Sequence, residues 1–139
     1  LYGGKAATNY RYVSQRLVHY CKAKGRYYTF GIRYDYVNNK WQYLNSSNAW
    51  TDITGYFTST WATYLWHHIF IAANFVNETY GKCCIDGWWV DLTAQSLYAQ
   101  TALADFGLTQ MLPLVETNAA AAVDLCVDDV VLAGVLNLT

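Results

Sequence analysis

From Tyr28 to Tyr36 the chain alternates without a break. Tyr28, Phe30, Ile32, Tyr34 and Tyr36 fall on one side, and Thr29, Gly31, Arg33 and Asp35 on the other. A period of two puts successive side chains on opposite faces of a pleated strand, whereas a helix would scatter this apolar set around its circumference. The segment therefore reads as a strand with one largely aromatic face. Val37-Asn38-Asn39-Lys40 follows, and Asn tolerates the positive φ of a type I′ turn. Trp41, Gln42, Tyr43 and Leu44 then run back. Residues 27–44 are expected to form a β-hairpin held by cross-strand aromatic pairs, each contributing about 0.2–1 kcal/mol.

Around the hairpin the spacing predicts helices. Tyr10, Val13, Leu17, Tyr20 and Cys21 form one helical stripe, with Thr8 or Asn9 as cap and Gly25 as stop, so Tyr10–Lys24 is expected to be helical. After the polar loop 45–48, Thr51 or Asp52 caps a second helix running to about Asn77. Its stripe is Trp61, Leu65, Ile69, Ala72, Ala73 and Val76, and Tyr64, Trp66 and Phe70 occupy its other faces. A short strand near 84–91 joins the hairpin. Thr93 caps a third helix to about Leu112, which Pro113 ends. Thr117 or Asn118 opens a fourth, with Cys126, Val127 and Val130 on one side; the tail 130–138 also suits a strand. The sum is one α+β domain over residues 1–139, about four helices packed on a small antiparallel sheet.

Charge is divided by position. Residues 1–40 hold Lys5, Arg11, Arg16, Lys22, Lys24, Arg26, Arg33 and Lys40 against one acid, Asp35, a net of +7. The remainder holds only Lys82 against nine acids, a net of −8. Opposed poles attract each other, a second copy or an outside polyanion. The candidate cationic contacts are Arg11, Arg16, Lys22, Lys24, Arg26 and Arg33; their acidic counterparts are Asp124, Asp128 and Asp129. Tyr12, Tyr20, Tyr27 and Tyr28 interleave with the cations, a combination that suits nucleic acid through residues 5–33. The sequence pI of 6.3 argues against that use, because such proteins are usually basic.

Charged residues make up only 14% of the chain, while Tyr (13) and Trp (6) are abundant. A chain so poor in charge and rich in amphipathic rings favours association. Trp41, Trp88 and Trp89 are the candidate surface aromatics. Adjacent Trp88 and Trp89 cannot share one face of a strand, so one of them is exposed or lies at an interface, where it suits a glycan or a partner.

Four cysteines permit two disulfides, and long-range bridges from Cys83 and Cys84 to Cys21 and Cys126 are expected, since a bridge between neighbours is strained. Zinc is disfavoured because no C-x₂-C or His-x₃-His pair occurs, and calcium because the three aspartates lack a glycine-bearing loop. The chain begins with Leu1, which fits removal of a signal peptide. Asn45, Asn77 and Asn137 head N-glycosylation sequons. Together with the cysteines they point to a secreted or extracellular setting, a virion included. No membrane span is expected: Trp61–Val76 is short and carries His67, His68 and Asn74, and Ala119–Leu138 contains three aspartates.

No hydrolase or nucleotide motif is present. His67 or His68 beside Asp86 or Asp91 could form a hydrolase site, but rim histidines on an aromatic element are the stronger reading. The expected function is a secreted, non-enzymatic, self-assembling structural subunit of filament or surface-layer type, without a cofactor. Its subunits would be joined by aromatic and basic-to-acidic contacts. The alternatives are a small disulfide-stapled toxin or effector acting on a cell surface or membrane, and a virion protein contacting nucleic acid.

Overall fold

The computed structural model describes residues 2–4, 10–54, 66–101, 109–117 and 125–127. Among them are the strands β1 (Tyr2–Gly4), β2 (Tyr10–Cys21), β3 (Arg26–Asp35), β4 (Lys40–Leu44), β5 (Trp50–Asp52) and β6 (Ile69–Asn74). They continue with β7 (Thr79–Ile85), β8 (Trp88–Asp91), β9 (Tyr98–Thr101), β10 (Thr109–Thr117) and β11 (Leu125–Val127). The described residues contain no α-helix, only a 3-10 turn at Lys22–Lys24.

This overturns the α+β expectation of four helices on a small sheet: the protein is nearly all β. Residues 10–21 show why. Val13, Leu17 and Cys21 lie four apart, a spacing that fits one helical turn and also two strand repeats. Tyr10, Tyr12, Val13, Val18 and Tyr20 prefer a pleated surface, and β3 offers an edge to β2 from Tyr12 to Cys21. Val13 is buried, and Leu17 and Cys21 pack against the core, so these three share one side of a strand, whereas Tyr20 of the expected stripe turns to the other side.

The second expected helix fails in the same way. Ile69, Ile71 and Ala73 of β6 pack inward while Phe70 faces out, a period of two. Val76, another residue of the expected stripe, lies beyond β6 and is 78% exposed, and Trp61 and Leu65 lie outside the described residues. Where a third helix was expected, β9 and β10 occur instead. Pro113 ends no helix; it sits in β10, the edge of its sheet, where a missing N–H is tolerated. Within the fourth, Leu125–Val127 is a strand; the segments 118–124 and 128–139 lie outside the described residues.

The pairing is antiparallel throughout. Six strands form the larger sheet, in the order β10-β2-β3-β4-β5 with β9 also on β3. The strands β6-β7-β8 form a second sheet, and β1 pairs with β11. The strand near 84–91 therefore does not join the hairpin; β7 and β8 belong to the second sheet.

The hairpin itself forms, but not with the expected type I′ turn, which needs positive φ at two successive residues: residues 36–39 make a four-residue loop in which only Asn39 has it. β3 pairs with β4 from Ile32–Tyr43 to Asp35–Lys40, and Asn39 takes φ +55° in the turn. Tyr28, Phe30, Ile32 and Tyr34 are buried and face Tyr80, Cys83 and Ile85 of β7. Their rings meet edge-on, Phe30 to Tyr80 at 6.2 Å and Tyr43 to Tyr80 at 5.8 Å, a favoured aromatic geometry. One edge of β3 is shared, with β9 on Arg26–Thr29 and β4 on Ile32–Asp35.

Candidate functional site

Two surfaces collect the chemistry-bearing side chains, one on the outer face of each sheet. On the smaller sheet, Phe70 of β6, Cys84 of β7 and Trp89 of β8 stand in register. Cys83 and Ile85 point into the core, so the alternation of β7 turns this row outward. Phe70 and Trp89 are 46% and 64% exposed, with ring centroids 5.8 Å apart and planes at 64°. Cys84 lies buried beneath them. Lys82 faces Asp91 in the next outward row. Thr93 donates to Asp91 from its backbone nitrogen at 2.9 Å and its hydroxyl at 2.6 Å, which holds that carboxyl below its usual value. Trp88 points to the other face yet is 52% exposed, because β8 is the edge strand among the described residues. Trp66, just before β6, is also exposed.

Of the three candidate surface aromatics, then, Trp88 and Trp89 are both exposed. Trp41 is not: it is 4% exposed and packs on Tyr34 at 5.1 Å. Its direct pairing with inward-facing Tyr34 puts it on the core side of β4.

On the larger sheet, Arg33 of β3 lies over the rings of Tyr12 and Trp50, at 3.8 and 4.7 Å. Arg16 lies over Trp50 at 5.1 Å, and Arg11 over Tyr12 at 5.1 Å. Arg33 donates from Nε to Gln42 Oε1 at 2.6 Å. Gln42 donates in turn to Asp52, which also pairs with Lys40. Burial lowers the Arg33 pKa, partly offset by Tyr12, Asp35 and Glu116, while the charge of Arg16 lowers it further.

Lys24 and Arg26 serve a different purpose. Both pair with Glu78, at 3.0 and 3.1 Å, and the Tyr28 hydroxyl donates to the same carboxylate at 2.9 Å. Glu78 sits at φ +58° in the β6–β7 turn, so this cluster ties the two sheets together at one end. Lys24 and Tyr28 hold the Glu78 carboxyl below its usual value. Burial first, and then Glu78, push the Tyr28 hydroxyl up to about 12. Lys22 is exposed in the 3-10 turn. The acidic candidates Asp124, Asp128 and Asp129 lie outside the described residues, so the pairing partner on view is Glu78.

His67 is 4% exposed, and its Nδ1 lies 2.7 Å from Asp86 Oδ2. Asp86 also accepts from the His68 backbone N–H and donates its own N–H to the His68 carbonyl. The pair clamps the β7–β8 turn onto the start of β6. Among the described residues no group of three or more His, Cys, Asp or Glu side chains could hold a metal, and no helix is long and apolar enough to cross a membrane.

Cys21, Cys83 and Cys84 are thiols. The side chain of Cys126 lies outside the described residues, as does Asn137. Asn77 is exposed in the β6–β7 turn. Asn45 donates from its side-chain nitrogen to Thr51 and accepts from Ser47 and Ala49, so it organises its own loop.

No family model matches the chain, and no curated protein or solved structure matches it. The site must be read from its residues. Reasoning from sequence named Arg16 and Arg33 by charge but not their contact with Trp50, which depends on cross-strand register. It placed Phe70 on a helix and missed Glu78, although that residue is one of only two glutamates in the chain.

Proposed function

We propose that the protein is a non-enzymatic structural subunit that assembles with copies of itself through the outer face of the β6–β7–β8 sheet and the edge of β8 that is unpaired among the described residues. The observation that carries this reading is the exposed pair Phe70–Trp89, with Trp88 beside it on the edge strand. Exposed rings clustered in this way mark association surfaces, where aromatic residues are enriched and charge is scarce. The edge supports a second copy as the occupant. Edge strands are normally blunted by lysine, proline or a bulge. β10 carries Pro113, whereas β8 has no lysine, proline or bulge, and only its short length and Asp91 at its end guard it. An antiparallel pairing of β8 with β8 of another copy would extend the sheet and cover the tryptophans of both. Of the expected basic-to-acidic contacts, Lys24 and Arg26 are engaged within the chain and the acidic candidates lie outside the described residues, so the reading rests on the aromatic contact. A secreted setting remains part of the proposal, supported by the accessible sequon at Asn77.

Sedimentation over a concentration series tests this. Association that disappears in Trp89→Ser and Phe70→Ser, with folding intact, is the expected result. A strict monomer at every concentration sinks it, and a monomer whose tryptophan fluorescence responds to oligosaccharides would instead favour a glycan contact.

A further inference from the structure

On the opposite sheet, the outer face poses a separate electrostatic problem. Arg16 stands across from Gly31, and Arg33 across from Ser14, so the two arginines are diagonal neighbours on β2 and β3. Between them the cross-strand positions hold only small side chains. Both guanidinium groups rest on the Trp50 ring, and Arg33 is also held by Tyr12. Stacking of this kind fixes the plane of a guanidinium while leaving its N–H edge free to donate.

The donors are largely unused. Arg33 makes one side-chain hydrogen bond, from Nε to Gln42. Arg16 makes none with the described residues, and its Nε is buried without a partner. Nearby acids are engaged elsewhere. Asp35 accepts from the backbone of Val37 and Asn38 and from the Asn38 side chain. Asp52 is held by Lys40 and Gln42. Glu116, across from Tyr12 on β10, is exposed and makes no ion pair with either arginine. Two like charges thus sit side by side, partly desolvated; Asp35 and Glu116 act on Arg33 only at a distance, and no carboxylate of the described residues pairs directly with either guanidinium. Such a pair is unfavourable unless an anion joins it.

We propose that Arg16 and Arg33 form an oxyanion site on the outer face of the six-stranded sheet, presenting their free N–H edges to a phosphate or sulfate group. Guanidinium forks match such groups bidentately. Two forks supply more donors than the two oxygens of a carboxylate can accept in this way, which favours a tetrahedral anion. The site lies on the other sheet from the aromatic edge, so it stands or falls independently of the assembly reading.

Titration calorimetry with inorganic phosphate and inorganic sulfate at low ionic strength tests it on the full chain, with the change in tryptophan fluorescence that is lost in Trp50→Phe as a second readout. Wild-type protein should bind at least one of the two anions. Arg16→Lys and Arg33→Lys keep the charge and the fold but lose the fork, and each should weaken binding about tenfold. The double Arg16→Gln/Arg33→Gln variant should abolish it, while Lys82→Gln on the other sheet should leave it unchanged. A phosphate-bearing polymer and a sulfated oligosaccharide then distinguish the source of the group. Failure of wild-type protein to bind either anion, or binding that survives in the double variant, overturns the proposal. Equal weakening by Lys82→Gln also overturns it, since that would be net charge alone.

Discussion

The Tyr80 hydroxyl fills the break in the β3 ladder at Gly31. The Gly31 N–H donates to it at 2.9 Å, and the hydroxyl donates onward to the Leu44 carbonyl at 2.7 Å. It lies where β9 has left the edge of β3 and β4 is just beginning. One side chain from the smaller sheet thereby satisfies two buried backbone groups of the larger. Tyr80→Phe keeps the ring and its packing but leaves both groups unpaired. The expected loss is about 1–3 kcal/mol of unfolding free energy, read from a shifted urea midpoint with an unchanged slope.

Gly31 is required for a second reason. A Cβ there would lie 2.2 Å from the Gln15 backbone oxygen, and backbone in the middle of a sheet cannot swing aside. Gly31→Ala should cost about 1–3 kcal/mol or fail to fold. Gly25→Ala meets open space and only the penalty of φ +58°, about 1–2 kcal/mol. The melting temperatures of the two variants should fall in that order.

Acid and base should loosen the cluster at Glu78 from opposite sides. The Glu78 pKa lies below its ordinary value of 4.5, so its contribution is present above that pH and is lost as pH falls through the lowered value. The Tyr28 pKa is raised to about 12, so its contribution is present below the ordinary 10.0 and is lost as pH rises through about 12. Melting temperature against pH should fall at both ends. Glu78→Gln should flatten the acid limb, and added salt should shrink the wild-type effect.

Trp41 and Trp89 should respond oppositely to truncation. Trp41→Ala opens the core and should cost about 3–5 kcal/mol. Trp89→Ala removes an exposed ring and should stay within about 0.5 kcal/mol. Chemical denaturation of both variants at a dilution that keeps the protein monomeric checks this.

Alkylation should follow burial. Cys83 is fully buried, and burial pushes its thiol up to about 12, so little thiolate is available. Mass spectrometry after brief labelling should find Cys21, which is half-buried, modified in the native protein. Cys83 should be modified only after denaturant is added. Rapid native labelling of Cys83 would contradict its placement.

How far the sequence reaches can be read from these same residues. At 28–36 every second residue is apolar and Thr29, Gly31, Arg33 and Asp35 intervene, so alternation is unambiguous and the hairpin could be placed with its turn at Asn39. At 10–21 the apolar positions Val13, Leu17 and Cys21 satisfy both periods, and the intervening polar residues do not decide. Gln15, inward and buried, even argues against a strand until its neighbours are known. Pro113 signals an interruption in either structure, and only the sheet order shows it to be an edge. The arginine cluster was visible as charge, but its geometry comes from the pairing of β2, β3 and β5. Tyr80 carries no local sign that its hydroxyl completes another sheet.

The divided edge of β3 also sets the tempo of folding. Its far half can zip to β4 through a short turn, but its near half waits for β9, with Arg26 meeting Thr101. β2 waits likewise for β10, with His19 meeting Thr109. Partners so remote along the chain close large loops, and such topologies mature slowly. Until the downstream strands are made, the outer edge of β2 and the near half of β3 keep their backbone donors and acceptors unpaired, the kind of edge that another chain can join.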